Sequence, residues 1–194
     1  MGAGTPVQIQ GLYDEAEEAY VVASRITTQV AIGGRGYNDF AVLYRTNAQS
    51  FAFERTFLQH RIPYQLVGGV RFYDRKEIKD IIAYLRLLYQ PNDLMSFSRI
   101  VNVPTRGIGA ASFEKFAAWQ NNSGMDILSA LINVEQASGF TPRARLSFAR
   151  LGEILRALQV MTLNETSPGD VIEKLIELTG YRDYLLDGSP QAED

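Results

Sequence analysis

The sequence predicts a chain that is α/β in its first part and all-α in the rest: a small three-stranded parallel sheet with helices, followed by a helical subdomain. Apolar residues alternate with polar ones, or run together, at three places before Gly68, with helical stretches between them. From Lys76 onward they recur instead at three- and four-residue intervals. Gly68-Gly69 separates the two regimes and marks a boundary within 68–75, so residues 1–72 and 73–194 are read as two domains.

Val7-Gln8-Ile9-Gln10-Gly11-Leu12-Tyr13 alternates as a half-buried strand does, and the acidic Asp14-Glu15-Ala16-Glu17-Glu18 suits the first turn of a helix running to about Val30. Gly33-Gly34-Arg35-Gly36 is a loop. Phe40-Ala41-Val42-Leu43-Tyr44 is a continuous apolar run, as in a strand buried on both faces, and a helix from about Gln49 to Gln59 follows it. Pro63-Tyr64-Gln65-Leu66-Val67 reads as a third strand, and strands alternating with helices at this spacing imply right-handed crossovers and parallel pairing.

Helices are then expected at about Lys76–Tyr89, Leu94–Val101, Ala111–Gln120, Asp126–Val134, Pro142–Met161 and Pro168–Leu178. Pro91-Asn92-Asp93, Asn121-Asn122-Ser123-Gly124 and Thr166-Ser167-Pro168-Gly169 punctuate them, the last with Ser167 as N-cap and Pro168 at the first helical position. The tail from Gly188 to Asp194 ends in turn-forming polar residues, as a chain cut at a loop would.

With 46% hydrophobic and 21% charged residues the composition is that of an ordinary globular protein with a packed core. No apolar run approaches the roughly 20 residues of a membrane span, and no signal-peptide pattern opens the chain. Cysteine is absent, which excludes disulfides, thiolate catalysis and Cys-based zinc sites, and fits a cytoplasmic setting. The net charge of −3 hides an uneven distribution: residues 68–116 carry eight basic against five acidic side chains, residues 141–156 four against one, and residues 165–194 two against eight. A basic middle on an acidic chain suits a nucleic-acid face, although such runs are more often solvated helix surface.

Within that basic middle, Asn102-Val103-Pro104-Thr105-Arg106-Gly107-Ile108-Gly109-Ala110-Ala111-Ser112 joins a helix stop, a Gly-x-Gly hairpin and a new helix start. Gly107 and Gly109 permit positive φ, and the first amides of the helix after them have no internal partner. Those donors, the positive end of the helix dipole and Arg106 suit one backbone phosphate of a nucleic acid, read without base preference. Taken alone, the local residues lean towards a plain helix-to-helix turn.

Several spaced motifs alter that balance. Phe40-Ala41-Val42-Leu43-Tyr44-Arg45-Thr46-Asn47-Ala48-Gln49-Ser50, then Pro63-Tyr64, Gly68-Gly69-Val70-Arg71-Phe72-Tyr73, Glu77-Ile78-Lys79-Asp80 and Tyr84-Leu85-Arg86, closely resemble superfamily 1 DNA helicases of the UvrD, PcrA and Rep group, and Gly107-Ile108-Gly109 falls where that group has such an element. The resemblance is strong from about Val7 to Gly109 and weakens to a general helical pattern beyond. It implies the start of the second RecA-like motor domain (2A), followed by part of the helical subdomain inserted in it (2B). It further implies that Arg45 and Asn47 contact single-stranded DNA, and that Lys79 lies near the duplex. By the same resemblance, Thr105, Arg106, Gly107, Ile108, Gly109 and Ser112 form the hairpin that grips duplex backbone, and Gly68-Gly69 serves as the hinge of a swivelling subdomain.

Each assignment has a plainer counterpart. Asn47 suits a helix cap, Lys79 suits pairing with Glu77 and Asp80 along its own helix, and Phe72 and Tyr73 suit packing rather than stacking on bases. Trp119 is assigned to packing and His60 to the surface. Phe51 departs from the group, which commonly has arginine there, so the resemblance gives that position no role. No Gly-x-x-x-x-Gly-Lys-Ser/Thr loop and no Walker-B acidic pair occur, so no catalytic residue and no cofactor are assigned within the chain; ATP and magnesium belong to the parent helicase.

The expected function is a part of an ATP-dependent DNA helicase, inactive alone. It would contribute single-strand and duplex contacts and motor coupling, with DNA and the remaining motor domains as partners and no membrane. A stand-alone DNA-binding or protein-interaction module without ATPase, or a part of a helicase–nuclease, is the alternative.

Overall fold

The computed structural model describes residues 4–186, so the polar tail from Gly188 onward lies outside the described residues. The chain divides into two compact units, the first reaching Arg75 and the second beginning at Lys76.

The first unit is built on two helices, α1 (Glu15–Ile32) and α2 (Asn47–Gln59). The Asp14 carboxylate caps α1 by accepting from the Glu17 amide at 2.8 Å. Ala19, Ala23 and Ile26 on α1 pack with Ala52, Phe53 and Phe57 on α2 and with Ile62. Glu54, buried on α2, accepts from the Ser50 hydroxyl at 3.0 Å, the Tyr64 hydroxyl at 3.4 Å and the Phe72 amide at 3.4 Å. These bonds fasten the segments on either side of Gly68-Gly69 to one side chain, and burial with the Glu54 charge raises the Tyr64 hydroxyl's pKa.

The expected parallel sheet is not formed: no strand occurs among the described residues, and the fold is all-helical rather than α/β followed by all-α. In the first predicted strand Val7, Ile9 and Tyr13 are each more than 90% exposed. In the second, Phe40 and Val42 pack on the two-helix core while Leu43 stands 94% exposed, and in the third Tyr64 packs while Val67 is exposed. Only Phe40, Val42 and Tyr64 of these apolar residues turn inward, onto the two helices. Strand formation needs backbone hydrogen bonds to a neighbouring segment, and side-chain periodicity does not supply a neighbour.

The second unit comprises α3 (Lys76–Tyr89), α4 (Leu94–Ile100), α5 (Ala110–Ser123), α6 (Ile127–Ile132), α7 (Pro142–Leu163), α8 (Pro168–Thr179) and α9 (Tyr181–Leu185). Caps set their starts: Asp93, Asp126, Thr141 and Ser167 each accept from the amide three residues on, and Pro142 and Pro168 open α7 and α8. Phe148, Leu151, Leu155 and Leu158 run down the buried side of α7 and meet Leu87, Phe97, Phe116 and Leu131. At Gly152 a Cβ would stand 3.0 Å from that of Leu131, so only glycine lets α6 and α7 cross this closely. Asp80, 1% exposed on α3, accepts from Arg99 Nε of α4 and from the Tyr181 hydroxyl of α9, both at 2.7 Å. Burial and the bond to Asp80 push the Tyr181 hydroxyl's pKa well above its ordinary value.

Candidate nucleic-acid interface

The segment between α4 and α5 is held from within by two polar side chains. The Asn102 carboxamide oxygen accepts from the Arg106 amide at 2.8 Å and from the Ile108 amide at 3.1 Å, closing the turn on itself. Arg106 turns inward. Its Nη1 donates to the carbonyls of Ile100 at 2.9 Å, Val103 at 3.0 Å and Pro104 at 3.2 Å, and its Nη2 to the Tyr84 hydroxyl at 2.6 Å. A guanidinium there meets the free carbonyls and the negative dipole end of α4. The Tyr84 hydroxyl in turn donates to the Val103 carbonyl at 2.6 Å. Burial raises this hydroxyl's pKa, an effect the adjacent guanidinium opposes.

Of the two glycines expected to take positive φ, only Gly107 does, at +74°. Gly109 has φ −87° and ψ 172°, an extended N-cap geometry open to other residues, and nothing lies within 4 Å of where its Cβ would stand. The Ile108 side chain is 3% exposed and anchors the turn in the core, while Thr105 and Gly107 are exposed and Ser112 is half-buried. The Gly109 carbonyl accepts from the amides of Ser112 and Phe113, both at 3.0 Å, and no side chain caps α5. The first-turn amides of Ala110 and Ala111, both exposed residues, thus have no acceptor within their own helix.

Sequence reading missed two participants. Asn102 carried a signal, as a short amide side chain beside a predicted turn, but its bonding pattern required the folded loop. Arg143, on the first turn of α7, carried none that linked it to the hairpin. Its Nη2 and Nε lie 3.4 and 3.5 Å from the Cβ position of Gly107. One turn further along α7, the Ser147 hydroxyl donates to the Arg106 carbonyl at 2.9 Å.

The remaining predicted residues are dispersed. Lys79 is exposed on α3, nearer the start of the helix whose Tyr84 holds Arg106. Arg45 is exposed in the first unit, where its amide and that of Thr46 donate to the Gln49 side chain at 2.9 and 3.1 Å. Asn47 is the first residue of α2; its side chain is outside the described ones. Phe51 and Phe72 lie 4.1 Å apart between ring centroids with their planes tilted by 41°, and the Arg75 guanidinium is 5.7 Å from the Phe72 ring centre, so this aromatic pair is committed to packing in the first unit. Trp119 lies against the core of the second unit, and His60 is exposed beside Tyr20.

Residues 1–141 match the model of the UvrD-like helicase C-terminal domain, and the chain belongs to this family. Among individual proteins it is similar to the ATP-dependent DNA helicase PcrA of Bacillus subtilis strain 168, with 42% identity over 89% of this chain and 23% of that protein. It is also similar to the ATP-dependent DNA helicase Rep of Salmonella typhimurium strain LT2, with 35% identity over 98% of this chain and 28% of that protein. A PcrA helicase of Staphylococcus epidermidis is 36% identical over 94% of the chain and 25% of its own length. The chain thus spans about a quarter of the length of these relatives. No helix among the described residues is long and apolar enough to cross a membrane.

Proposed function

We propose that this chain serves an ATP-dependent DNA helicase by holding the sugar-phosphate backbone of duplex DNA at the turn from Thr105 to Ser112. The observation that carries the reading is the combination at the start of α5: an uncapped helix end with exposed Ala110 and Ala111, and a turn held rigid by Asn102. Fixed amides at the positive end of a helix dipole bind an anion without reading bases, as a motor moving along any sequence requires. The grip is backbone-based, because Ile108 is committed to the core and Arg106 to the carbonyls of Ile100, Val103 and Pro104. Lys79 adds an exposed cation on α3 as a further duplex contact. Arg45 and Asn47, at the start of α2, are assigned to single-stranded DNA on the family resemblance, and Gly68-Gly69 to a hinge.

ATP and magnesium would be held by the remaining motor domains of the parent chain, since a nucleotide cradle needs a phosphate loop and a metal-holding acid that these residues do not provide. The parent's action in the cytoplasm, on a junction between duplex and single strand, is part of the same proposal.

The test is fluorescence anisotropy of the purified chain with a labelled blunt duplex and with a single strand of the same length. Duplex binding that is independent of sequence and weakens steeply with salt is expected. Absence of duplex binding at low salt would overturn the reading of the turn.

A further inference from the structure

We propose that Arg143 is the cation of the duplex-binding turn, a second arm reaching the same phosphate backbone from α7. This rests on the preceding reading of the turn and adds a residue to it.

The charge that the local sequence offers, Arg106, is consumed internally by four carbonyls and the Tyr84 hydroxyl. A phosphate arriving at Gly107 would meet a different guanidinium. Arg143 is exposed, and its guanidinium lies in van der Waals range of the missing Gly107 side chain. No hydrogen bond or ion pair engages it among the described residues, unlike its neighbour Arg145, which is spent on the Ala137 carbonyl at 3.1 Å and on Glu135 at 3.7 Å.

The placement is set by the fold. Ser147 lies one turn along α7 from Arg143, and its bond to the Arg106 carbonyl holds that face of α7 against the turn. Lys115 of α5 reaches the Gly139 carbonyl at 3.4 Å, tying the loop that leads into α7 to the helix that the turn opens. Arg143 is therefore carried on a helix held against the turn, with its guanidinium beside Gly107. A guanidinium presents paired N–H donors in a planar fork that matches phosphate oxygens, and beside a nest of amides it supplies the full charge the amides lack.

The chain carrying Arg143→Ala, Arg143→Lys or Arg156→Ala is titrated with a labelled blunt duplex across a salt series, each variant first matched to the parent by circular dichroism and thermal melting. Arg156 is a control because it is exposed on the same helix, more than three turns away, and removes the same charge. Arg143→Ala is expected to weaken duplex binding about ten-fold at low salt and to reduce the slope of log K against log salt by about one. Arg143→Lys should recover part of the affinity, and Arg156→Ala should leave both quantities near those of the parent. Parental affinity and slope in Arg143→Ala, or equal losses in Arg143→Ala and Arg156→Ala, would overturn the assignment while leaving the turn itself in place. Failure of the parent chain to bind duplex would overturn both readings together.

Discussion

The Tyr84 hydroxyl accepts from Arg106 Nη2 at 2.6 Å and donates to the Val103 carbonyl at the same distance, so a tyrosine of α3 fastens the start of the turn whose arginine it also holds. The Arg106 guanidinium is thus engaged within the fold. Arg106→Ala is expected to lower the stability of the second unit by about 2 kcal/mol, since hydrogen bonds from a charged donor each contribute more than neutral ones. Arg106→Lys should restore little, because an ammonium cannot reproduce a fork shared among several carbonyls. Tyr84→Phe should cost about 1 kcal/mol. Urea unfolding followed through Trp119, the only tryptophan, reports on this unit; stability equal to the parent's in Arg106→Ala would refute the prediction.

Asn102 separates folding from binding. Asn102→Ala leaves the Arg106 and Ile108 amides without their acceptor and is expected to destabilise by about 1–3 kcal/mol. Asn102→Asp keeps the acceptor, so stability should be close to parental above the carboxylate range. The added negative charge beside a phosphate should nevertheless weaken duplex binding. Anisotropy and urea unfolding on both variants check the pair; unchanged duplex affinity in a folded Asn102→Asp would place the phosphate elsewhere.

The two glycines should respond in opposite ways. Gly107→Ala must adopt φ near +74° and is expected to lose about 1 kcal/mol. Gly109→Asp has open space and an N-cap geometry, so it should gain a few tenths of a kcal/mol in stability. That same carboxylate would occupy the α5 amides and repel DNA, so duplex affinity should fall as stability rises. A destabilised Gly109→Asp, or one that binds duplex as the parent does, would contradict the geometry.

Asp93 predicts an acid dependence. Its carboxylate accepts from the Ser96 hydroxyl at 2.6 Å and the Ser96 amide at 3.0 Å, and these bonds hold its pKa below the ordinary carboxylate value. A depressed folded-state pKa contributes stability that is present above the unfolded-state value, near 4, and is lost as pH falls through the folded-state value. Asp93→Asn should keep the cap and remove this component, while Asp93→Ala should cost about 1 kcal/mol at neutral pH. Thermal melts between pH 2 and 7 check it: the gap between parent and Asp93→Asn should change across the acid limb and stay constant above pH 5.

The helices α3 to α8 start and stop close to where the three- and four-residue apolar spacing places them, with the limits of α3 coinciding at Lys76 and Tyr89, whereas the short α9 was not expected. Their caps, Asp93, Asp126, Thr141 and Ser167, are local contacts spanning three residues, so they are readable from neighbours in the chain. The sheet was misread for the complementary reason. Phe40, Val42 and Tyr64 pack inward while Leu43, expected buried in a strand covered on both faces, is exposed, because pairing depends on a distant backbone that no local pattern encodes.

The candidate interface divides along the same line. Gly107-Ile108-Gly109 followed by a helix is legible in the bare sequence as a turn that opens a helix, because the two are contiguous and the helix dipole and free amides are local properties, while the proposed phosphate role came from the family resemblance. Which arginine lies beside Gly107 was decided by packing. Arg106 is adjacent in sequence yet is drawn into the carbonyls that end α4 and the hydroxyl of Tyr84. Arg143, remote in sequence, arrives beside Gly107 because the buried side of α7 is locked into the core through Phe148 and Leu151, and that contact fixes the direction of every other side chain on the helix.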